Sequence, residues 1–237
     1  MKVLAIDTAT PASSVALADG REVVASASRV DPRGHSAFLV PAIDFCFDQV
    51  GWRPLDLDAV VVDVGPGLYT GIRVGLASAQ GLAAAIGVPI VPASALDALA
   101  LRAATGRRHI WSVVDIRRGE VATAGYRPVP GGVVKDGPAQ AIRPDRFRAL
   151  LESDPSDVLI VGDSAALPAG TLRGLHRARV GRPRFPAAEA LVEIATNVLE
   201  KDEVPHPEEI RPMYLREPDV TINWSLIRDE GPWAGAS

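Results

Sequence analysis

The sequence predicts an α/β fold laid down twice in one chain, each copy a mixed sheet backed by helices. Three observations predict it. Strand-like apolar runs alternate with helical periodicity along the 237-residue chain, which is the pattern of layered α/β domains. Each half opens alike: Val3 to Ile6 runs into Asp7, Ile110 to Val114 runs into Asp115, and a second β-prone run follows each aspartate. A polar break, Thr105 to Arg108, separates the two series. The duplication is read from element order, not from residue identity. The expected boundaries are residues 1–105, 106–216, and a polar tail at 217–237 with Trp224 and Trp233 as candidate anchors.

The elements follow in order. After the first strand, Ser14 to Ala18 and Glu22 to Ala27 form a hairpin about Asp19-Gly20. Ser36 to Val50 is a helix, because Leu39, Ala42, Ile43, Cys46 and Val50 recur at three- and four-residue spacing. Phe38, Phe45 and Phe47 widen its apolar face, and Gly51 ends it. Asp58 to Val64 is a buried strand. The loop Gly65-Pro66-Gly67-Leu68-Tyr69-Thr70-Gly71 leads into a helix at 71–86, with Thr70 placed to cap it. Gly87-Val88-Pro89, a strand at Ile90-Val91 and a helix at 93–104 complete the first half. In the second half, Glu120 to Tyr126 is a strand, Pro128 to Gly132 a turn, Pro144 to Glu152 a short helix, and Val158 to Val161 a strand before Gly162-Asp163-Ser164-Ala165. Ala187 to Glu200 is the last helix, with Leu191, Ile194, Ala195 and Val198 in line.

Composition narrows the function classes. Hydrophobic residues are 47% and charged residues 23%, which suits a packed core and excludes global disorder. The net charge of −4 argues against a protein that grips a nucleic-acid backbone unaided. One cysteine, Cys46, excludes an intrachain disulfide and fits a reducing compartment. No apolar leader precedes the first strand, and Ile72 to Val91 is interrupted by Arg73, Gln80 and Pro89, so the chain is expected to be soluble, cytoplasmic and free of membrane contact.

Several groupings could carry chemistry. Asp7 and Asp115 end apolar strands, as the carboxylates of a two-domain phosphotransfer cleft do, but Asp also ends strands because it makes turns. Gly65, Gly67 and Gly71 stand between strand and helix, where backbone N–H groups can hold an anion. No lysine follows Gly71, so this is not a Walker loop, and close helix packing is the competing explanation. Gly71, Gly75, Ala79 and Ala83 recur every four residues, a groove into which another helix fits. His35, His109, His176 and His206 never lie a helical turn apart, and no nucleophile elbow is present. Arg173, His176, Arg177, Arg179, Arg182 and Arg184 form a basic run, read either as a phosphate or RNA contact or as a solvated loop.

Together these segments resemble the TsaB (YeaZ-type) family. The resemblance rests on Val3 to Thr10 with Ser14 to Leu17, on His35-Ser36, and on Gly65 to Leu76. It extends to Gly87-Val88-Pro89 with Ser94, Val114 to Val121, and Pro212-Met213-Tyr214-Leu215-Arg216. It implies an actin-like (ASKHA, ribonuclease H-like) fold of duplicated mixed-sheet domains. It also implies a non-catalytic part in forming threonylcarbamoyladenosine at position 37 of tRNAs that read A-starting codons. TsaD, the catalytic paralogue, would be the heterodimer partner and TsaE, an ATPase, the third member. A homodimer is expected in isolation, with tRNA contact indirect or through the complex. The catalytic relatives hold metal with His-x-x-x-His; here Ala95 and Leu99 stand about where the imidazoles would be, so no metal and no catalytic residue is expected. Weak ATP or ADP binding would fall to Asp7, Asp115 and Gly162. The expected partner surface is Phe38, Leu39, Ala42, Ile43 and Cys46 on one helix with Gly71, Gly75, Leu76, Ala79 and Ala83 on the next. The rival readings are an ATPase or small-molecule kinase, a glycoprotease-like peptidase, and a direct tRNA binder.

Overall fold

A computed structural model describes residues 1–104, 106–201 and 203–216; the tail with Trp224 and Trp233 lies outside them. The first sheet contains β1 (Lys2–Asp7), β2 (Ala12–Asp19), β3 (Glu22–Val30), β4 (Ala59–Asp63) and β5 (Ile90–Ala93) in the order β3-β2-β1-β4-β5. The second contains β6 (His109–Asp115), β7 (Val121–Val129), β8 (Gly132–Ile142), β9 (Val158–Gly162) and β10 (Ala178–Val180) in the order β10-β9-β6-β7-β8. Read outward from the hairpins, the two orders are the same. In both sheets the first three strands are antiparallel and the last two are parallel additions. The duplication and the mixed sheets expected from element order are therefore present.

Side-chain alternation decides what covers each face. Leu4, Ile6, Val15, Leu17, Val60 and Val62 point to one side of the first sheet, beneath α1 (His35–Val50) and α2 (Tyr69–Ile86). Val3, Ala5, Ala16, Ala18, Ala59 and Val61 point to the other, beneath α5 (Ala188–Glu200). Both faces are covered, so the strands read as continuous apolar runs rather than alternating ones. The second sheet lies between α3 (Ala95–Arg102) and α4 (Pro144–Ser153), with Leu96 and Leu99 of α3 against Ile110, Val114 and Val161, and Phe147 and Leu151 of α4 against Val113 and Ile160.

The halves exchange helices. α3 follows the first sheet in sequence yet packs on the second, and α5 follows the second yet packs on the first. Ile210 and Met213 also return to the first core. The strands divide between the two sheets after β5, but neither half is self-contained, because α5 covers the far face of the first sheet and α3 a face of the second.

Local expectations hold with two exceptions. Gly51 and Gly87 close α1 and α2 in the left-handed conformation. Ser94 caps α3, its Oγ accepting the Leu96 N–H at 3.2 Å. Thr70 does not cap α2: Leu68 takes that position without a side-chain bond, and Thr70 lies inside the first turn. β8 and β10 were not legible as strands.

Candidate functional site

The ends of β1 and β4 bring two carboxyls together. The strands are parallel with Ile6 beside Val62, so Asp7 and Asp63 stand side by side at the same end. Both are fully buried. Asp7 Oδ1 accepts the Ala9 N–H at 3.0 Å, and Asp63 Oδ1 accepts the Gly65 N–H at 2.7 Å. The remaining oxygens, Asp7 Oδ2 and Asp63 Oδ2, are buried without a hydrogen-bond partner, which disfavours charge on both acids at once. Burial raises Asp7 to about 6, and burial with the neighbouring Asp7 charge holds Asp63 well above the carboxylate range. The pair is a buried acid couple where two strand ends meet, and burial favours keeping a proton on it. Asp63 carried no signal in sequence beyond ending an apolar run.

The glycine loop closes over this pair. A Cβ on Gly67 would lie 2.0 Å from the Ala9 carbonyl oxygen, and one on Gly71 2.0 Å from that of Thr8. A Cβ on Gly75 would lie 2.4 Å from Thr8 Oγ1, while that hydroxyl donates to the Gly71 carbonyl at 2.7 Å. The Leu68 N–H donates to Ala9 O at 2.6 Å. The glycines admit the chain at residues 8 and 9, not an anion: close packing is the reason for them. His35 adds to the same joint, its Nδ1 sharing a 2.8 Å hydrogen bond with Ser13 Oγ, and burial favours its neutral form.

This geometry corrects the expected partner surface. Leu39, Ala42, Cys46, Gly71, Gly75, Leu76, Ala79 and Ala83 are all buried within the chain's own first core. The four-residue groove is filled by Thr8 and the sheet beneath it. Only Phe38 and Ile43 of the expected surface are even half-exposed. Gly71→Ala is accordingly expected to lower stability by about 3 kcal/mol, read as a lower urea midpoint of the isolated chain, because the methyl group meets a backbone carbonyl that cannot rotate away.

The faces turned outward are different ones. On α1, Val40 is 58% and Phe45 50% exposed, with Pro41 beside them. On α2, Ala77, Gly81 and Ala84 are exposed in line with Arg73 and Gln80, and a Cβ on Gly81 would meet nothing within 4 Å. At the start of α2 the Arg73 guanidinium lies 3.8 Å over the Tyr69 ring, while Arg73 Nε donates to Tyr214 Oη at 2.9 Å. The two tyrosine rings stack at 5.2 Å. Half-exposed aromatics and arginine are the composition of binding hot spots. The Pro212 to Arg216 motif reaches this place because the Met213 N–H donates to Val64 O at 2.7 Å.

The nucleotide candidates are not assembled. Asp7 is sealed in the pair just described. Asp115 accepts the Arg117 N–H at 2.7 Å and pairs with the same guanidinium at 3.2 Å, on its own turn. Gly162, with φ 101°, has the Val113 carbonyl 2.0 Å and Leu99 Cδ1 3.0 Å from its Cβ position. Ala95 and Leu99 are fully buried in an apolar cluster with Ala9, Ile72 and Val114 that joins the two halves. The described residues contain no group of three or more His, Cys, Asp or Glu that could hold a metal ion. None of their helices is long and apolar enough to cross a membrane.

The family model for TsaD, tRNA N6-adenosine threonylcarbamoyltransferase, matches residues 25–162. The Escherichia coli tRNA threonylcarbamoyladenosine biosynthesis protein TsaB is 32% identical over 232 residues, covering 96% of this chain and 98% of that protein. The Bacillus subtilis protein of the same description is 32% identical over 170 residues, covering 70% of this chain and 73% of that one. Among solved structures, YeaZ from Pseudomonas aeruginosa superposes with a TM-score of 0.78 at 29% identity, covering 90% of this chain and 99% of that chain.

Proposed function

The chain belongs to the TsaB family, and on that premise we propose how it works: it is a non-catalytic subunit in the formation of threonylcarbamoyladenosine on tRNA, and it acts by binding TsaD. The observation that carries this is the end-to-end likeness to a TsaB protein, 96% of the chain at 32% identity. The burial of Ala95 and Leu99 in apolar packing supports it: a site without nitrogen, sulfur or carboxylate donors has nothing to offer a metal. We read each sheet as the actin-like plan, supported by the repeated strand order, with at most weak ATP or ADP binding.

TsaD docks on the outward faces of α1 and α2. Val40, Phe45, Tyr69 and Arg73 supply the anchors, and Ala77, Gly81 and Ala84 let a helix lie close. A specific contact of this kind buries on the order of 1,600 Å². TsaE joins the pair, tRNA is met through the complex, and without TsaD the same face pairs with a second copy by a two-fold contact. The work takes place in the cytoplasm.

The test is reconstitution. TsaD with TsaE is expected to modify tRNA only when this chain is added, and the chain is expected to co-elute with TsaD. Equal modification in its absence, or modification by the chain alone, would overturn the reading.

A further inference from the structure

A cavity of about 600 Å³ lies between the start of β2, the end of β3, and the strap 182–187 that leads into α5. Four arginines line it, Arg29, Arg102, Arg182 and Arg184, against one carboxylate, Glu189. They come from three places in the sequence, and only Arg182 and Arg184 belong to the basic run. Asp31 holds Arg29 at 2.6 Å and Asp163 holds Arg184 at 3.2 Å, which orients those two guanidinium groups. Arg102 makes one long bond, 3.4 Å to the Phe185 carbonyl. The Arg182 guanidinium has no partner among the described residues. α5 begins at the same wall, where Ser14 Oγ accepts the Ala188 N–H at 2.9 Å and Glu189 lies in the first turn, so its dipole adds only a partial positive charge to that of the arginines.

From this arrangement we infer that the cavity binds the phosphate groups of a small phosphorylated ligand. Its volume is that of a small-molecule pocket, and paired guanidinium forks with a helix N-terminus are the donors that phosphate oxygens select. Extended nucleic acid is the weaker fit. Outside the cavity three neighbouring arginines are met by acids, Arg177 and Arg108 by Asp157 at 3.7 and 3.8 Å and Arg148 by Glu152 at 2.8 Å. The chain as a whole carries −4, so positive charge is gathered in a concavity and does not form a stripe.

The test is calorimetric titration of the full chain with pyrophosphate at low ionic strength, with a nucleoside diphosphate and a short single-stranded RNA as parallel arms. Saturable pyrophosphate binding is expected, with competition from the nucleoside diphosphate. Arg182→Glu and Arg102→Gln should each weaken it by about tenfold or more while keeping the parent melting temperature, and Arg179→Glu, outside the cavity, should not. Three results would overturn the inference. One is no saturable pyrophosphate binding. Another is an equal loss in Arg179→Glu, which would make the effect diffuse surface charge. The third is RNA binding through Arg182 without binding of either small phosphate. None of these readouts involves TsaD, so they stand or fall apart from the subunit role.

Discussion

A chain carrying Phe45→Asp and Ala77→Arg is expected to elute alone when mixed with TsaD, while melting with the parent chain. The argument is one of placement. Phe45 is 50% exposed although phenylalanine is a residue that folding normally hides. It stands on a helix whose inward needs are already met by Leu39, Ala42, Cys46 and Phe47. An apolar ring left over after the core is complete contributes little to the monomer and is available to a partner. Ala77 is exposed one turn from Arg73 on the neighbouring helix, where a long cation would hold a second helix away. Losing a buried aromatic anchor typically costs an interface about 2 to 4 kcal/mol, roughly thirty- to a thousandfold in affinity. Reconstituted tRNA modification should fall with it. Leu55→Asp is the control: Leu55 is 71% exposed but belongs to neither helix, lying on the turn before β4. Undiminished co-elution of the double variant, or equal loss in Leu55→Asp, would place the TsaD contact elsewhere.

The same helix shows where the sequence could be read and where it could not. That α2 exists follows from its length, its glycine stop and its apolar content. Its phase does not, because small residues lie on both sides. Gly71, Gly75, Ala79 and Ala83 form one stripe and Ala77, Gly81 and Ala84 another. Only tertiary structure shows that Thr8 fills the first. One cue was available: Arg73 and Gln80 mark the wet side, and Ala77 and Ala84 lie one turn from each. β8 was hidden for a different reason. Its middle reads Lys135-Asp136-Gly137-Pro138, a turn by composition, yet it is an edge strand whose ladder shifts register there, with Gly137 at φ 89°. Edges and bulges tolerate residues that central strands exclude. Asp63 was missed because an aspartate after an apolar run looks like any turn former. Its meaning depends on β4 lying parallel to β1 in a register that no local pattern encodes.

That register leads to the last expectation. Asp63→Asn should make the chain more stable above about pH 7 and flatten the fall of stability with pH. In the unfolded chain Asp7 releases its proton near the ordinary 3.8, but in the folded chain it does so at about 6. Between those values the folded state holds more protons, so stability is fully present below the lower value and is lost as pH rises through the upper one. For Asp7 alone the loss is about 3 kcal/mol, and Asp63, held higher still, extends it to more alkaline pH. Asparagine is nearly isosteric with the aspartate it replaces. Its carbonyl oxygen can keep the bond from the Gly65 N–H, and its amide can donate to the Asp7 oxygen that otherwise has no partner. Asp7 then has donors in the Ala9 N–H and the new amide, and can stay ionised without a like charge beside it. Glu189 acts on Asp7 in both forms and so does not change the comparison. Urea midpoints at about pH 5 and about pH 8 decide the matter. The parent should lose stability between them and Asp63→Asn should lose much less, overtaking the parent at the higher pH. Parallel behaviour of the two chains would mean that the buried pair does not hold a proton above the ordinary carboxylate range.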